Sequence, residues 1–287
     1  MTFKYEIQHA ITVKAFLQSQ QFSKKTVSAI KRDGALLVNG KHVTVRHFMN
    51  KGDVLTVEMP NETASSYLIP YERPIHILYE DAHMLIVSKP KHQNSAPSRD
   101  HQHESLVEQV LAYSMQGQTC PAFVPHLVTR LDRQTSGAVL FAKSGHMHHL
   151  LSMCNIQKQY LCICYGIPAQ AGEIVAPIAR HPDSIIERHV DQTHGKFAHT
   201  VYTRERHKDN VAMCRVELLT GRTHQIRVHF QYMGHPLVGD DLYGGWHEAV
   251  DTQCLHCYQL HFHHPITSTW VHVVDDTHHF EKIWQRL

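Results

Sequence analysis

The sequence predicts an α+β protein with a small N-terminal module (residues 1–60), a linker (61–73) and one large domain (74–287). Three observations carry this. A chain of 287 residues that is 42% apolar can bury a sizeable core in one large domain or two. Short apolar runs of strand length, broken by a few stretches of helical period, recur from residue 76 onward. Between them and the N-terminal module, Asn61-Glu-Thr-Ala-Ser-Ser-Tyr-Leu-Ile-Pro-Tyr-Glu-Arg73 is rich in polar, small and Pro residues.

In the N-terminal module, Val13, Phe16 and Leu17 suit one face of a helix. Ser23 offers an N-cap for a second helix, with Val27 and Ile30 inward and Lys24, Lys25, Lys31 and Arg32 outward. Asp33-Gly34 ends it. Leu36-Leu37-Val38 leads into Asn39-Gly40, a hairpin-turn signal, and Gly52-Asp53 precedes a strand over 54–57. Two short helices followed by Val-Asn-Gly and Gly-Asp-Val-Leu-x-Val resemble the S4 RNA-binding domain. On an isolated helix the basic face would be ordinary solvated surface. The resemblance implies that it tracks RNA phosphates, which lysines on one face do without reading sequence.

In the large domain, 76–80 and 84–88 are predicted strands around Asp81-Ala82-His83, the second closed by Lys89-Pro90. Residues 95–103 are a polar loop. Residues 104–115 form an amphipathic helix with Leu106, Val107, Val110 and Leu111 on one side. A buried strand over 138–142 and a helix over 145–156 follow. Lys158-Gln-Tyr160 then enters a strand over 161–165, closed by Gly166-Ile167-Pro168. The polar stretch 169–210 indicates strand-and-loop insertions. A strand over 211–219 runs into Thr220–His229, where Gly221 permits a tight turn and Thr223 is the expected helix cap. That helix would carry His224, Arg227 and Gln231 on one face, with Ile226 and Phe230 on another.

Composition narrows the function. The formal net charge is +2 and the pI about 8.2, so any basic footprint must be local. No apolar run approaches the ~18 residues of a membrane span. The segment Met1-Thr2-Phe3-Lys4-Tyr5-Glu6 lacks the apolar core of a secretory signal. A cytoplasmic protein without membrane contact is expected, and a monomer, since nothing suggests an oligomer seam. Seven cysteines, an odd count scattered through apolar or mixed segments, read as reduced thiols. The 28 histidines include His146, His148, His149 and His261, His263, His264, and Cys254-Leu-His-Cys257 has a zinc-like spacing. A zinc-stabilised interaction protein is therefore a competing reading. No second Cys-x-x-Cys exists, so no metal is expected.

The stretch Leu127-Val-Thr-Arg-Leu-Asp-Arg-Gln-Thr-Ser-Gly137 sets Asp132 between Arg130 and Arg133, just ahead of the buried strand. A carboxylate there is rigid behind and open in front. On composition alone it would be a surface ion-pair cluster worth ~0–1 kcal/mol. An aspartic protease is excluded, because that site wants Asp directly before Thr. The full string Arg-Leu-Asp-x-x-Thr-Ser-Gly resembles the central motif of the RluA-type pseudouridine synthases, in which the Asp is catalytic. Further matches follow in the family's order: Lys89-Pro90 after a strand, Lys158-Gln-Tyr160, Gly221-Arg-Thr-His-Gln-Ile-Arg227, Gly234-His-Pro-Leu-Val-Gly239-Asp-Asp-Leu-Tyr243 and Leu255-His256…His264-Pro265. The resemblance covers nearly the whole chain. Lys91 and His92 stand where the family has a small residue and Gly, and Thr129 where it has His or Asn.

The resemblance implies an isomerase that flips a uridine out of structured RNA, detaches its uracil and rejoins it through carbon 5. No atoms are added and no redox occurs, so no cofactor is expected. Asp132 would act at the ribose carbon, as nucleophile or by taking a proton from the sugar. Arg227 would hold that carboxylate ionised. Tyr160 would stack on the free base and help remove the carbon-5 proton, a weak base at its ordinary pKa of about 10. Arg130 would fill the gap left by the flipped base, and Arg222 and His224 would also contact RNA. The implied large domain is a mostly antiparallel mixed sheet flanked by helices, with the cleft across its middle. Ribosomal RNA is the expected substrate ahead of transfer RNA. The alternative is an inactive RNA-binding protein of the same fold, against which the joint presence of Asp132, Tyr160 and Arg227 argues.

Overall fold

The computed structural model describes residues 2–116 and 122–287; Cys120, one of the seven expected thiols, lies outside them. The N-terminal elements are β1 (Thr2–Glu6), β2 (Ile11–Thr12), α1 (Val13–Ser19), α2 (Lys24–Asp33), β3 (Ala35–Val38), β4 (Lys41–His42), β5 (Phe48–Met49) and β6 (Val54–Glu58). Then come β7 (His76–Glu80), β8 (Met84–Lys89), α3 (Leu106–Met115), β9 (His126–Leu127), β10 (Ser136–Ala142), α4 (Gly145–Met153) and β11 (Gln157–Tyr165). The remainder is β12 (Ala171–Val175), β13 (Ile178–Arg180), β14 (Arg188–Val190), β15 (His199–Lys208), β16 (Val211–Leu218), α5 (Gln225–Tyr232), a single 3-10 turn (Asp241–Tyr243), β17 (Leu255–His263), β18 (Trp270–Val274) and α6 (His278–Arg286).

The first 58 residues fold around their own sheet, β1-β6-β3-β4, all antiparallel, with β2 and β5 paired beside it. Phe3, Val13, Leu17, Ile30, Leu36 and Leu55 bury one shared core. Ser23 caps α2 by accepting the Thr26 N–H at 3.0 Å. Asn39 (φ 50°) and Gly40 (φ 79°) make the two-residue turn between β3 and β4, both left-handed as such a turn requires. Gly34 does end α2, but in extended backbone at φ −118°. It is needed for space, since a Cβ there would sit 2.3 Å from the Glu58 carbonyl oxygen. Strand β1 was not expected; five residues with Phe3 alone fully buried give little pattern before β6 pairs with them.

Residues 61–73 contain no helix or strand, yet they are tied to the large domain. The Ile69 N–H donates to Glu108 Oε1 at 3.1 Å, and Glu62 accepts from the Gly145 N–H at 2.9 Å. The N-terminal core also touches the large domain directly. The Phe22 ring stacks on His146 at 3.8 Å between centroids, and Phe3 on His83 at 5.3 Å.

The large sheet runs β12-β15-β16-β11-β17-β10-β8-β7, with β18 added to β17 and β9 to β10. Among the described residues every pairing in it is antiparallel except β10 with β17, which are parallel at Ser136↔His256 and Gly137↔Cys257. Strand residues alternate between faces. Tyr160, Cys162 and Cys164 of β11 join one core with Val110, Met147, Ile226 and Phe230 of the helices α3, α4 and α5. Leu161 and Ile163 turn the other way, onto Phe280 of α6. This is the mixed, mostly antiparallel α+β architecture expected.

Strand β11 begins at Gln157 rather than 161 and β10 at Ser136 rather than 138, and the helices differ from expectation as well. Helix α3 starts at Leu106 rather than 104, because Ser105 and Glu108 close a capping box and Glu104 is left-handed at φ 63°. Helix α4 stops at Met153, where Cys154 turns extended at ψ 144°. Thr223 does not cap α5; His224 occupies the N-cap position and makes no side-chain cap bond. The predicted His224–Arg227–Gln231 face also divides, since Arg227 is buried and Gln231 exposed. Among the described residues no helix is long and apolar enough to cross a membrane.

Candidate active site

Asp132 lies in the loop that feeds β10, and that loop is pinned on both sides. The Ser95 hydroxyl donates to the Leu131 carbonyl at 2.7 Å and accepts the Leu131 N–H at 3.0 Å. The Thr129 hydroxyl accepts the Leu140 N–H at 2.9 Å, and the Thr135 N–H closes back on the Asp132 carbonyl at 3.0 Å. Beneath, the Lys89 amine donates to the carbonyls of Pro90, Gln93 and Arg133 at 2.8, 2.8 and 3.1 Å. The Asp132 side chain itself stays 28% exposed.

Strand register brings Tyr160 to the same place. Gly137 sits at φ +117°, and a Cβ there would lie 2.3 Å from the Cys257 carbonyl oxygen, so only glycine lets β10 approach β17. On the other side of β17, Cys257 pairs with Tyr160, at a register shift between Gln159 and Tyr160. Tyr160 is 5% exposed. Burial pushes its phenol well above the usual value, and the neighbouring Cys257 and the Asp132 charge push it the same way. The shift is opposite to what a base needs, so the ring is a neutral wall.

Helix α5 supplies the cation. The Arg227 guanidinium is bidentate to Asp240, Nε to Oδ2 at 2.7 Å and Nη2 to Oδ1 at 2.8 Å. It lies 4.8 Å from the centroid of the Tyr243 ring, and its Nη1 is 3.6 Å from Asp132 Oδ2. Burial alone would depress its pKa; the bonds and charge of Asp240, then the charge of Asp132, outweigh this and raise it. Arg227 is a permanent buried cation shared between two carboxylates.

His224 completes the cluster. Its backbone is left-handed at φ 57°, its Nδ1 is 2.8 Å from Tyr243 Oη, and its Nε2 is 3.9 Å from Asp132 Oδ2. Burial lowers its pKa against the opposing pull of Asp132. The side chain is only 10% exposed, so it faces the carboxylate rather than bulk solvent. Gln225 fixes the preceding turn: its Oε1 accepts from Thr220 Oγ1 and the Arg222 N–H, and its Nε2 donates to the His199 carbonyl and Thr200 Oγ1, all between 2.9 and 3.0 Å.

The structure thus brings Asp132, Tyr160, Arg227 and His224 together. Arg130 is exposed two residues before Asp132. Arg222 is exposed as well, its Nε bound to the Phe197 carbonyl at 2.9 Å. Lys24, Lys25, Lys31 and Arg32 are exposed on α2 of the N-terminal sheet, and Arg32 is paired with Asp33 at 2.7 Å. Sequence reasoning gave no role to Asp240, Tyr243 or the buried Lys89, although all three lay in recognised runs. His92 takes φ 63°, a left-handed backbone where the family has glycine. Cys254 and Cys257 are both buried, and burial pushes each thiol up to about 12, unlike a thiolate ligand pair. Among the described residues no group of three or more His, Cys, Asp or Glu could hold a metal ion.

The fold and the order of motifs are those of the pseudouridine synthase class. Residues 83–232 match the family described as RNA pseudouridylate synthase. The chain is 41% identical over 263 residues to the uncharacterized RNA pseudouridine synthase YjbO of Bacillus subtilis, covering 90% of this chain and 92% of that one. It is 33% identical over 267 residues to ribosomal large subunit pseudouridine synthase D of Xanthomonas campestris, covering 86% and 79%. The solved structure of human RNA pseudouridylate synthase domain containing 1 superposes with a TM-score of 0.59 at 25% identity, over 74% of this chain and 85% of that one. The chain belongs to the RNA pseudouridylate synthase family and is an RNA pseudouridine synthase, an isomerase.

Proposed function

We propose that the chain isomerises uridines in ribosomal RNA with Asp132 as the catalytic group. The observation that carries this is the carboxylate's setting: half-open, on a loop tied at every neighbouring residue, 3.6 Å from a buried arginine. The name of the Xanthomonas campestris relative supports ribosomal RNA, and such a substrate would put the enzyme in the cytoplasm.

In the reaction the bond from ribose carbon 1 to uracil N1 breaks and one to carbon 5 forms. Carbon 5 loses a proton and N1 gains one. Asp132 serves the first step at the sugar, as nucleophile or as base. Arg227 sets a fixed positive charge beside it and orients it. Tyr160, held neutral, is a wall against which the detached uracil turns. Flipping the uridine into this cleft is required because the reacting atoms are unreachable in a stack, and the exposed guanidinium of Arg130 fills the vacated space. Arg222 contacts the RNA outside the cleft. Residues 1–60 are an S4-like RNA-binding module, joined through 61–73 to the catalytic domain 74–287, with Lys24, Lys25, Lys31 and Arg32 on phosphates.

The test is tritium release from RNA labelled at carbon 5 of uridine, with ribosomal and transfer RNA assayed separately. Release from ribosomal RNA by the wild type and not by Asp132→Asn is expected. Release by both proteins would remove Asp132 from the chemistry. Release from transfer RNA alone would replace the substrate.

A further inference from the structure

We propose that His224 is a positioning residue whose ring is fixed in one tautomer by Tyr243, so that an N–H, and never a lone pair, faces Asp132. The inference rests on Asp132 being the catalytic carboxylate.

Three hydrogen-bonding groups are in line. The backbone N–H of Arg188, in β14, donates to Tyr243 Oη at 2.9 Å. That N–H has no other role open to it, so the phenol oxygen is the acceptor. Tyr243 Oη also lies 2.8 Å from His224 Nδ1. Among the described residues this nitrogen is the acceptor available to the phenol's own proton. With the proton pointed there, Nδ1 of the neutral imidazole must be the unprotonated nitrogen, and Nε2 carries the hydrogen. Nε2 is the atom turned toward Asp132 Oδ2, at 3.9 Å. That distance leaves the donor unbound in the free enzyme; a small shift of the carboxylate, or a ribose hydroxyl entering the gap, closes it.

The backbone agrees. An N-cap residue ordinarily has extended backbone and a short polar side chain that caps the helix, whereas His224 is left-handed at φ 57°. His224 makes no such bond, and its ring is committed to Tyr243 and Asp132 instead. The charged groups acting most strongly on the imidazole come from four elements. They are Asp132 from the loop before β10, Arg227 of α5, Arg188 of β14, and Asp240 beside the 3-10 turn. Two hydrogen bonds therefore tie the imidazole to the β13–β14 hairpin and hold its Nε2 3.9 Å from the catalytic carboxylate.

Tyr243→Phe tests this cleanly, because the ring under Arg227 is kept and the phenol proton is lost. The imidazole is then free to place its proton on Nδ1 and present a lone pair to Asp132. At mildly alkaline pH, kcat on the tritiated RNA should fall about 10-fold with KM nearly unchanged. Burial lowers the pKa of His224, so only well below the ordinary imidazole value of about 6.5 does the ring protonate and Nε2 regain its hydrogen, and there the deficit should shrink. A deficit constant across this pH range, or no deficit at all, overturns the proposal. His224→Gln, which does not titrate, should show a pH-independent profile relative to wild type. A readout free of activity is the ring nitrogen-15 spectrum, with the His224 signals assigned by their loss in His224→Gln. The Nε2–H tautomer in wild type and a mixture in Tyr243→Phe are expected; an Nδ1–H wild type overturns it. Full activity in Asp132→Asn would instead overturn the underlying reading and leave the tautomer result standing.

Discussion

Arg227 and Asp240 form a two-point ion pair with both side chains out of solvent, at 7% and 0% exposure. Arg227 thus has its full charge but little freedom, because two of its nitrogens are spent on Asp240. The third, Nη1, lies near Asp132 at 3.6 Å, too far to be a strong hydrogen bond. The arrangement orients a carboxylate without quenching it. Removing Asp240 should reverse that. In Asp240→Asn the guanidinium loses its stronger partner and closes on Asp132, so kcat should drop by about 10²-fold or more while KM changes little. Asp240→Ala leaves a buried unpaired cation and should cost roughly 3–5 kcal/mol of stability by chemical denaturation. Wild-type kcat in Asp240→Asn would show that the pair is not what spaces Arg227 from Asp132.

Lys89 makes stability depend on pH. It has no exposed surface, and burial depresses its amine from 10.5 to about 7. In the unfolded chain the amine keeps its ordinary value, so between about 7 and 10.5 the unfolded state binds more protons than the folded one. The stability tied to this group is complete above the unfolded value and lost as pH falls through about 7. Thermal melting of wild type should therefore gain, between neutral and alkaline pH, up to ~1.4 kcal/mol per pH unit over Lys89→Met. Parallel profiles for the two proteins would rule the amine out as the titrating group. Lys89→Met should be less stable at neutral pH and above, since the carbonyls of Pro90, Gln93 and Arg133 lose their shared donor.

Gly137 should tolerate no substitution. Alanine there adds left-handed strain and places a Cβ against the Cys257 carbonyl, so β10 and β17 must part. Gly137→Ala should lose ~2 kcal/mol or more and should lose activity along with it, because Tyr160 pairs with the same Cys257. A melting temperature within error of wild type would show that the strand pair yields cheaply.

The basic face of α2 should show itself in salt. Replacing Lys24, Lys25, Lys31 and Arg32 together by alanine should weaken RNA binding across sequences. The slope of log affinity against log salt should flatten by roughly one unit per lost phosphate contact. An unchanged slope would mark the face as merely solvated. The helix core, Ile30 with partly buried Val27, is untouched, so stability should stay within about 0.5 kcal/mol.

Local signals were legible where short-range physics decides the outcome. Ser23 capped its helix and Asn39-Gly40 made its turn, and the α+β class followed from run lengths. The motif strings located Asp132, Tyr160, Arg227 and His224, which the fold brings together from three separate segments. What the sequence hid depends on partners far along the chain. Nothing near Asp240 announces that it will clamp Arg227, and nothing in Lys89-Pro90 says that the lysine will be buried under the Asp132 loop. The family resemblance cast His224 as an RNA contact; its burial beside Asp132 depends on Tyr243 arriving from a later turn. The limits of α3 and α4 shifted by two or three residues for a lesser reason, the choice of cap among several polar candidates.

The placing of β17 between β10 and β11 bears on how the protein is made. Strands β10 and β11 are neighbours in sequence, separated only by α4, and both leave the ribosome long before β17 does. Until Leu255–His263 emerges, β11 and the Ser136–Gly137 end of β10 lack their pairing partner and leave backbone N–H and C=O groups open. A nascent chain in that state is an open template for another strand, its own or a stranger's. The two halves of the candidate cleft, Gly137 with the Asp132 loop on one side and Tyr160 on the other, are joined only when that late strand zips in. The enzyme therefore passes from no cleft to a complete one in a single late event, and a chain stopped before residue 255 should be found in inclusion bodies rather than as a slow catalyst.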